Sequence, residues 1–383
     1  MIAAVTVAAV SGLSGVQFHA DAQGTATLAW EGYRGDRFQI RTVDVRDGRP
    51  AAPQTVLWDG GEISSAELSD ADVSPNGQAV ACMRDRVNSF RQTWKLRIIR
   101  RAPGQPWSKP VLVTDPHQWI EEISCAVSDS GHVALAWATI SKRATRFSVY
   151  ATTVAPDGTV APPVLLAARG FGHQALIGPD GKATVAFTPD TKDRTLQLAE
   201  RPPGGQWATR SVPGFSGARL AIDGAGVISL GLDGTPELGR YLQVASAPSF
   251  APAPLTTEEP GSALDALVAG PRGDLLATWV TRRSRLNVSL RRPGGTFAPP
   301  VALGRVHRYF SGATTALAAD GSGAVSWTSP RGPFTRVLSS DGHWRAPVSG
   351  GGLLVAAPGG RVTAAWTEQR RRGGEVLRVG PVE

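Results

Sequence analysis

One short stretch, Gly131-His-Val-Ala-Leu-Ala-Trp137, constrains this chain more than any other, because it recurs. The copies end at Trp30, Met83, Trp137, Phe187, Leu232, Trp279, Trp327 and Trp366. Each end lies six residues after a glycine: Gly24, Gly77, Gly131, Gly181, Gly226, Gly273, Gly321 and Gly360. Self-similarity at an interval of about 40–50 residues marks a solenoid, a propeller or an array. The residue before each end is small (Ala29, Cys82, Ala136, Ala186, Gly231, Thr278, Ser326, Ala365), which suits closely packed neighbouring sheets with a large residue wedged between them.

Each unit reads as four short strands. In the third, strands are expected near Pro110–Val113, Ile123–Ser128, His132–Trp137 and Arg146–Val154, with the next unit opening near Pro163–Leu166. The first hairpin of several units uses a glycine turn, as in Pro75-Asn76-Gly77 and Pro179-Asp180-Gly181, where glycine supplies a positive φ. A second recurring turn runs glycine, aromatic, proline: Gly104, Trp107, Pro110; Gly295, Phe297, Pro300; Gly342, Trp344, Pro347. The chain's 44 Gly and 29 Pro are spread evenly between short apolar runs, and no amphipathic helical pattern competes with the strands.

Four-stranded units repeated eight times resemble the β-propeller superfamily, each unit a blade. No characterised family within it is matched by these motifs. The resemblance implies an all-β fold over residues 1–383 as a single propeller domain. The ends predict ring closure. One strand, Ala4–Val10, precedes the first copy and one, Glu375–Val379, follows the last, so their pairing completes the eighth blade and removes two aggregation-prone edges. The short interval between Trp327 and Trp366 keeps seven blades as the alternative.

Residues 1–22 imitate a signal peptide, with apolar Ile2–Val10 before Ala20-Asp21-Ala22, but lack a basic n-region. The repeat runs through them, since Val5–Gly24 aligns with Val301–Gly321. They are read as folded structure, with any leader removed before this numbering begins. No stretch approaches the roughly 20 apolar residues of a membrane span. An extracytoplasmic location is the preferred expectation.

Two cysteines, Cys82 and Cys125, lack any zinc-ligand spacing. The repeat puts them on neighbouring strands of consecutive units, so a disulfide is one reading. Two buried small hydrophobes is the preferred one, because Ala or Ser fills the Cys82 position in other units. The net charge is +8, from 35 Arg and 5 Lys against 32 acids. Arginine suits phosphate and carboxylate forks, yet a high-GC coding bias explains the same numbers and is preferred.

Antiparallel order puts the 2–3 hairpins and the 4–1 crossings on one face, and the short 1–2 and 3–4 turns on the other. The loop face carries the irregular, charged segments where function concentrates; the turn face is read as purely structural. The 2–3 hairpins are basic in most units (Arg34 and Arg37; Arg84, Arg86 and Arg91; Lys142, Arg143 and Arg146; Arg282, Arg283 and Arg285; Arg331 and Arg336; Arg370, Arg371 and Arg372), forming a crescent. Solvated hairpin tips are the alternative reading. The 4–1 crossings lead to the channel mouth with aromatics and polar groups. The expected ligand-binding set is Trp58, Glu62, His117, Trp119, Glu121, Phe171, His173, Arg305, His307 and Tyr309, joined by Arg283 and Arg371.

No catalytic residue, metal ligand or cofactor is assigned. Metal binding by His117, His173 and His307 would need convergence across non-adjacent blades. Sialidase Asp-boxes are not matched: after Ser128-Asp129-Ser130-Gly131 the aromatic comes too late, and in the wrong turn. Trp58-Asp59 occurs once, without the periodicity of a WD repeat. No Gly-x-Ser-x-Gly, phosphate loop or nucleotide fingerprint is present. The expected function is therefore a non-enzymatic propeller that binds a partner protein or a polyanionic or glycan ligand on its loop-rich face, with nucleic acid not the expected partner. The alternative is a glycan-acting hydrolase or lyase, with Glu62, Glu121 or His307 as acid or base.

Overall fold

The computed structural model describes residues 5–34, 37–58, 66–88, 93–114, 119–140, 147–191, 195–212, 219–232, 242–250, 252–255, 262–307, 312–369 and 375–382. These form eight blades in a ring, each built on antiparallel pairing, with no helix among the described residues. Blade 3 shows the plan: Trp119–Val127 is innermost, followed outward by Val133–Ile140, Phe147–Val154 and Val164–Ala167. The eight-blade reading holds and the seven-blade alternative falls.

Closure is continuous and not merely a pairing of ends. The long strand Val5–Ala20 pairs through Val5–Val10 with Glu375–Val382 of blade 8, then through Ser11–Ala20 with Ala26–Arg34 of blade 1. Blades 8 and 1 therefore share one sheet. Register shifts around Ser11, Ser14 and Gln17 let the strand bend as it crosses from one blade to the next.

The repeat residues do what their chemistry requires. Trp30, Met83, Trp137, Phe187, Trp279 and Trp327 are buried between blades, while Trp366 is half-buried. Each of the eight repeat glycines has a positive φ; at Gly24 an added Cβ would also come within 2.1 Å of the Ala357 Cβ in blade 8. The hydrophobic clusters lie in the seams: one joins Leu96, Ile98 and Val113 of blade 2 to Ile123, Leu135 and Trp137 of blade 3.

Arginines rivet the same seams. Arg101 of blade 2 forks onto Asp44 of blade 1 at 2.7 and 2.8 Å and also donates to Thr27 Oγ1 at 2.7 Å. Arg201 and Arg291 hold the equivalent position, opposite the start of their blade's second strand, and reach back to Thr153 and Ser246. Arg292 reaches forward, from buried Asp274 to the carbonyls of Gly321 and Ser340. These four arginines are thus engaged at the seams.

The cysteines are corrected. Cys82, on the second strand of blade 2, forms a disulfide with Cys125 on the first strand of blade 3, across a Cα–Cα distance of 6.7 Å. The preferred reading of two separate buried thiols does not hold, because the seam brings these two strands face to face.

Candidate functional site

The first strand of every blade is a sheet edge turned toward the central channel. Its outward N–H groups have no ladder partner, and left bare in a narrow channel they would be costly. The chain answers with a side chain from the blade before. Asp70 and Asp72 of blade 2 accept from Cys125 N and Val127 N of blade 3, at 2.8 and 2.9 Å. Ser124 of blade 3 accepts from Ala175 N at 3.0 Å, and Gln174 of blade 4 exchanges two bonds of 3.2 Å with the backbone of Leu220. Asp265 of blade 6 accepts from Ala313 N at 2.8 Å. Asp70, Ser124 and Gln174 occupy the same repeat position, so in three consecutive blades one polar position staples the channel wall.

Between these strands lies a cavity of about 400 Å³, whose wall includes His19, Asp70, Asp72, Ser124, Gln174 and Asp223. Another, of about 450 Å³, continues it past Asp21 and His19 toward the first strands of blades 7 and 8. Among the described residues neither wall contains a Lys or Arg, although the chain is strongly cationic. Both cavities lie at the ends of the first strands that lead into the 1–2 turns, around Pro75, Asp129 and Pro271. The turn face is therefore not purely structural: it frames a channel mouth.

Desolvation governs the titratable groups in this wall. Burial pushes the Asp70 carboxyl up to about 7, against the bond from Cys125 N and with the Asp72 charge adding to the rise. Burial likewise raises Asp72 and lowers His19, whose Nδ1 stands 3.9 Å from Asp72 Oδ1; their mutual attraction opposes both shifts without overcoming them. The channel thus carries a carboxyl, that of Asp70, which changes charge near neutrality. Among the described residues no group of His, Cys, Asp and Glu is arranged to hold a metal ion.

The expected loop-face residues are scattered. Glu62, His117, Tyr309 and Arg371 lie outside the described residues, and Trp58 ends the strand Gln54–Trp58. Trp119 packs against the hydrophobic seam of blades 2 and 3. Glu121 pairs with Arg84 at 3.4 Å; Arg84 also bonds Glu67 and the Ile120 carbonyl and stacks over Trp94. The His173 side chain is 1% exposed and turned onto the Glu122 carbonyl, and burial lowers its pKa. Phe171, Arg283 and Arg305 are exposed, and His307 is half-buried with its N–H on the Thr328 carbonyl. Of the arginine crescent, Lys142, Arg143, Arg146, Arg91 and Arg370–Arg372 lie outside the described residues.

Sequence reasoning missed His19, Asp70, Asp72 and Gln174. The available signal was a polar residue recurring at one position of otherwise apolar first strands.

A third cavity, of about 510 Å³, lies on the outer side of the ring between blades 6 and 7, lined by Leu303, Gly304, Arg305, Trp327, Arg331 and Phe334, among others.

No protein-family model matches the sequence, and no curated protein does. Solved structures do match. The propeller domain of the trilobed protease from Pyrococcus furiosus has a TM-score of 0.54 and 9% identity, over 88% of this chain and 97% of that one. Prolyl oligopeptidase B from Galerina marginata has a TM-score of 0.54 and 9% identity, over 96% of this chain and 55% of that one. The acylaminoacyl peptidase of Pyrococcus horikoshii has a TM-score of 0.54 and 10% identity, over 89% and 52%. This chain spans about half the length of those two peptidases. At such identities the likeness establishes the propeller fold. It also corrects the functional expectation: these structural neighbours are peptidases, which overturns both the partner, polyanion or glycan binder and the glycan-acting hydrolase or lyase. The physical reason is the use of the charges: Arg84 of the expected crescent is engaged in ion pairs with Glu67 and Glu121, and the described channel wall is acidic.

Proposed function

We propose that this chain is a peptidase-associated propeller, a single ring over residues 1–383 that admits an extended peptide into its central channel. Peptide hydrolysis itself is assigned to chemistry outside the ring, since the sequence carries no Gly-x-Ser-x-Gly nucleophile motif. The observation that carries this reading is the match to peptidase propellers along 88–97% of the chain. The channel supports it. An extended peptide brings a row of N–H and C=O groups, and the wall carries polar side chains, among them Asp72, Ser124 and Gln174, to meet them. The acidic wall favours an N-terminal ammonium over an anionic segment. Phe171 and Arg283, exposed on the loop side, are proposed further contacts for such a peptide. The disulfide supports an oxidising, extracytoplasmic compartment.

The test is fluorescence anisotropy with labelled unstructured peptides against the protein and its His19→Trp variant, which narrows the cavity. Peptides should bind, and the variant should weaken them about tenfold or more. Absence of peptide binding, or equal binding by the variant, would overturn the reading.

A further inference from the structure

The cavity between blades 6 and 7 combines features that the fold alone does not require. Trp327 is 4% exposed, and its indole Nε1 has no hydrogen-bond partner among the described residues. Other buried indoles share that state (Trp30, Trp94, Trp119 and Trp207), but of these Trp327 alone lines one of the three cavities described above. Its Nε1 edge lies over Gly304, where an added Cβ would stand 3.4 Å from Nε1 and from Cζ2. The glycine backbone thus lies close against that edge, and Nε1 itself is buried behind it. Phe334 stacks on Trp327 with ring centroids 6.0 Å apart, giving a flat apolar wall, and Leu303 extends it. Arg305 and Arg331 supply two guanidinium groups to the same wall, both on exposed residues, and neither is paired with an acid among the described residues.

Two cations, unpaired among the described residues, beside an aromatic wall fit one kind of ligand. We propose that this cavity binds a carboxylate joined to an apolar body, with Arg305 and Arg331 on the carboxylate and the Trp327–Phe334 pair covering the apolar part. A free aromatic acid and the C-terminal residue of a peptide share this chemistry. The peptide source rests on the function proposed above; the site itself does not.

The experiment titrates the whole protein with three probes: N-acetyl-phenylalanine, its C-terminal amide, and an acetylated tripeptide ending in a free phenylalanine carboxylate. Calorimetry gives the affinity, and the indole N–H resonance of Trp327, assigned with Trp327→Phe, reports the contact. The acids should bind and move that resonance, and the amide should bind about tenfold or more weakly. The paired variant Arg305→Gln/Arg331→Gln should lose a similar factor while keeping its unfolding temperature, since both arginines are exposed. Equal binding of acid and amide, an unmoved Trp327 resonance, or full affinity in the paired variant would each overturn the site. Binding of the single acid with refusal of the tripeptide supports the site and rejects the peptide source. Failure of all three probes while longer peptides still enter the channel overturns the site and leaves the proposed function standing.

Discussion

Asp70 of blade 2 accepts the backbone N–H of Cys125 in blade 3 at 2.8 Å, across the same seam that the Cys82–Cys125 disulfide closes. One residue of blade 3 is therefore held twice, through its backbone by a carboxyl and through its side chain by a covalent bond.

The carboxyl makes stability depend on pH. Its folded pKa, about 7, lies above the ordinary carboxylate range, so its contribution is greatest in acid and is lost as pH rises through about 7. Asp70→Asn keeps an acceptor for the Cys125 N–H and removes the charge. The variant should gain about 1–2 kcal/mol over the parent at pH 8.5, after discount for channel water, and nothing at pH 4. Urea unfolding at the two pH values measures it; an equal effect at both would contradict the assignment.

Reduction should weaken the ring at the adjacent bond. The two cysteines are 43 residues apart, and the chain-entropy model gives about 4 kcal/mol for a loop of that length. Thermal unfolding with and without reductant should separate clearly. Cys82→Ala/Cys125→Ala should match the reduced parent and be insensitive to reductant.

Asp85 offers a test of a buried ion pair. Its side chain is 3% exposed, and Arg97 Nε stands 2.7 Å from Oδ2. Burial raises its pKa to about 6 even though Arg97 and Lys95 pull it down. Arg97→Gln should cost about 3–5 kcal/mol at pH 8, where an uncompensated carboxylate is left inside. At pH 5 the cost should shrink, because Asp85 then carries its proton. A pH-independent loss would point to packing as the cause.

Deletion of residues 1–10 should open the ring. It removes the partner of Glu375–Val382 and leaves that strand as a bare edge. The truncated chain should unfold at a lower temperature and self-associate, as read by light scattering. A monomer of parental stability would show that the closure contributes little.

Fold was largely legible because it is written locally. Gly131 needs a positive φ and Trp137 needs a seam, and both demands repeat seven more times, so a ring of eight units is the preferred reading, with the structure rejecting the seven-blade alternative. The closure was legible for the same reason: the strand Ala4–Val10 stands ahead of the first unit, and the last unit ends one strand short, after Glu375–Val379. The channel site was not. Asp70, Ser124 and Gln174 resemble solvated polar residues in sequence, and their role exists only relative to a backbone N–H in the next blade.

What the sequence determined by itself was the period and the four-strand unit, since turn chemistry and strand burial are properties of neighbouring residues. Only the tertiary structure decided which residues meet across a seam. It joined Cys82 to Cys125, put Arg101 on Asp44, and aimed the Trp327 indole over Gly304. Those contacts link residues far apart in the chain, and their geometry is set by how far each blade is rotated against the next, a quantity that no single repeat encodes.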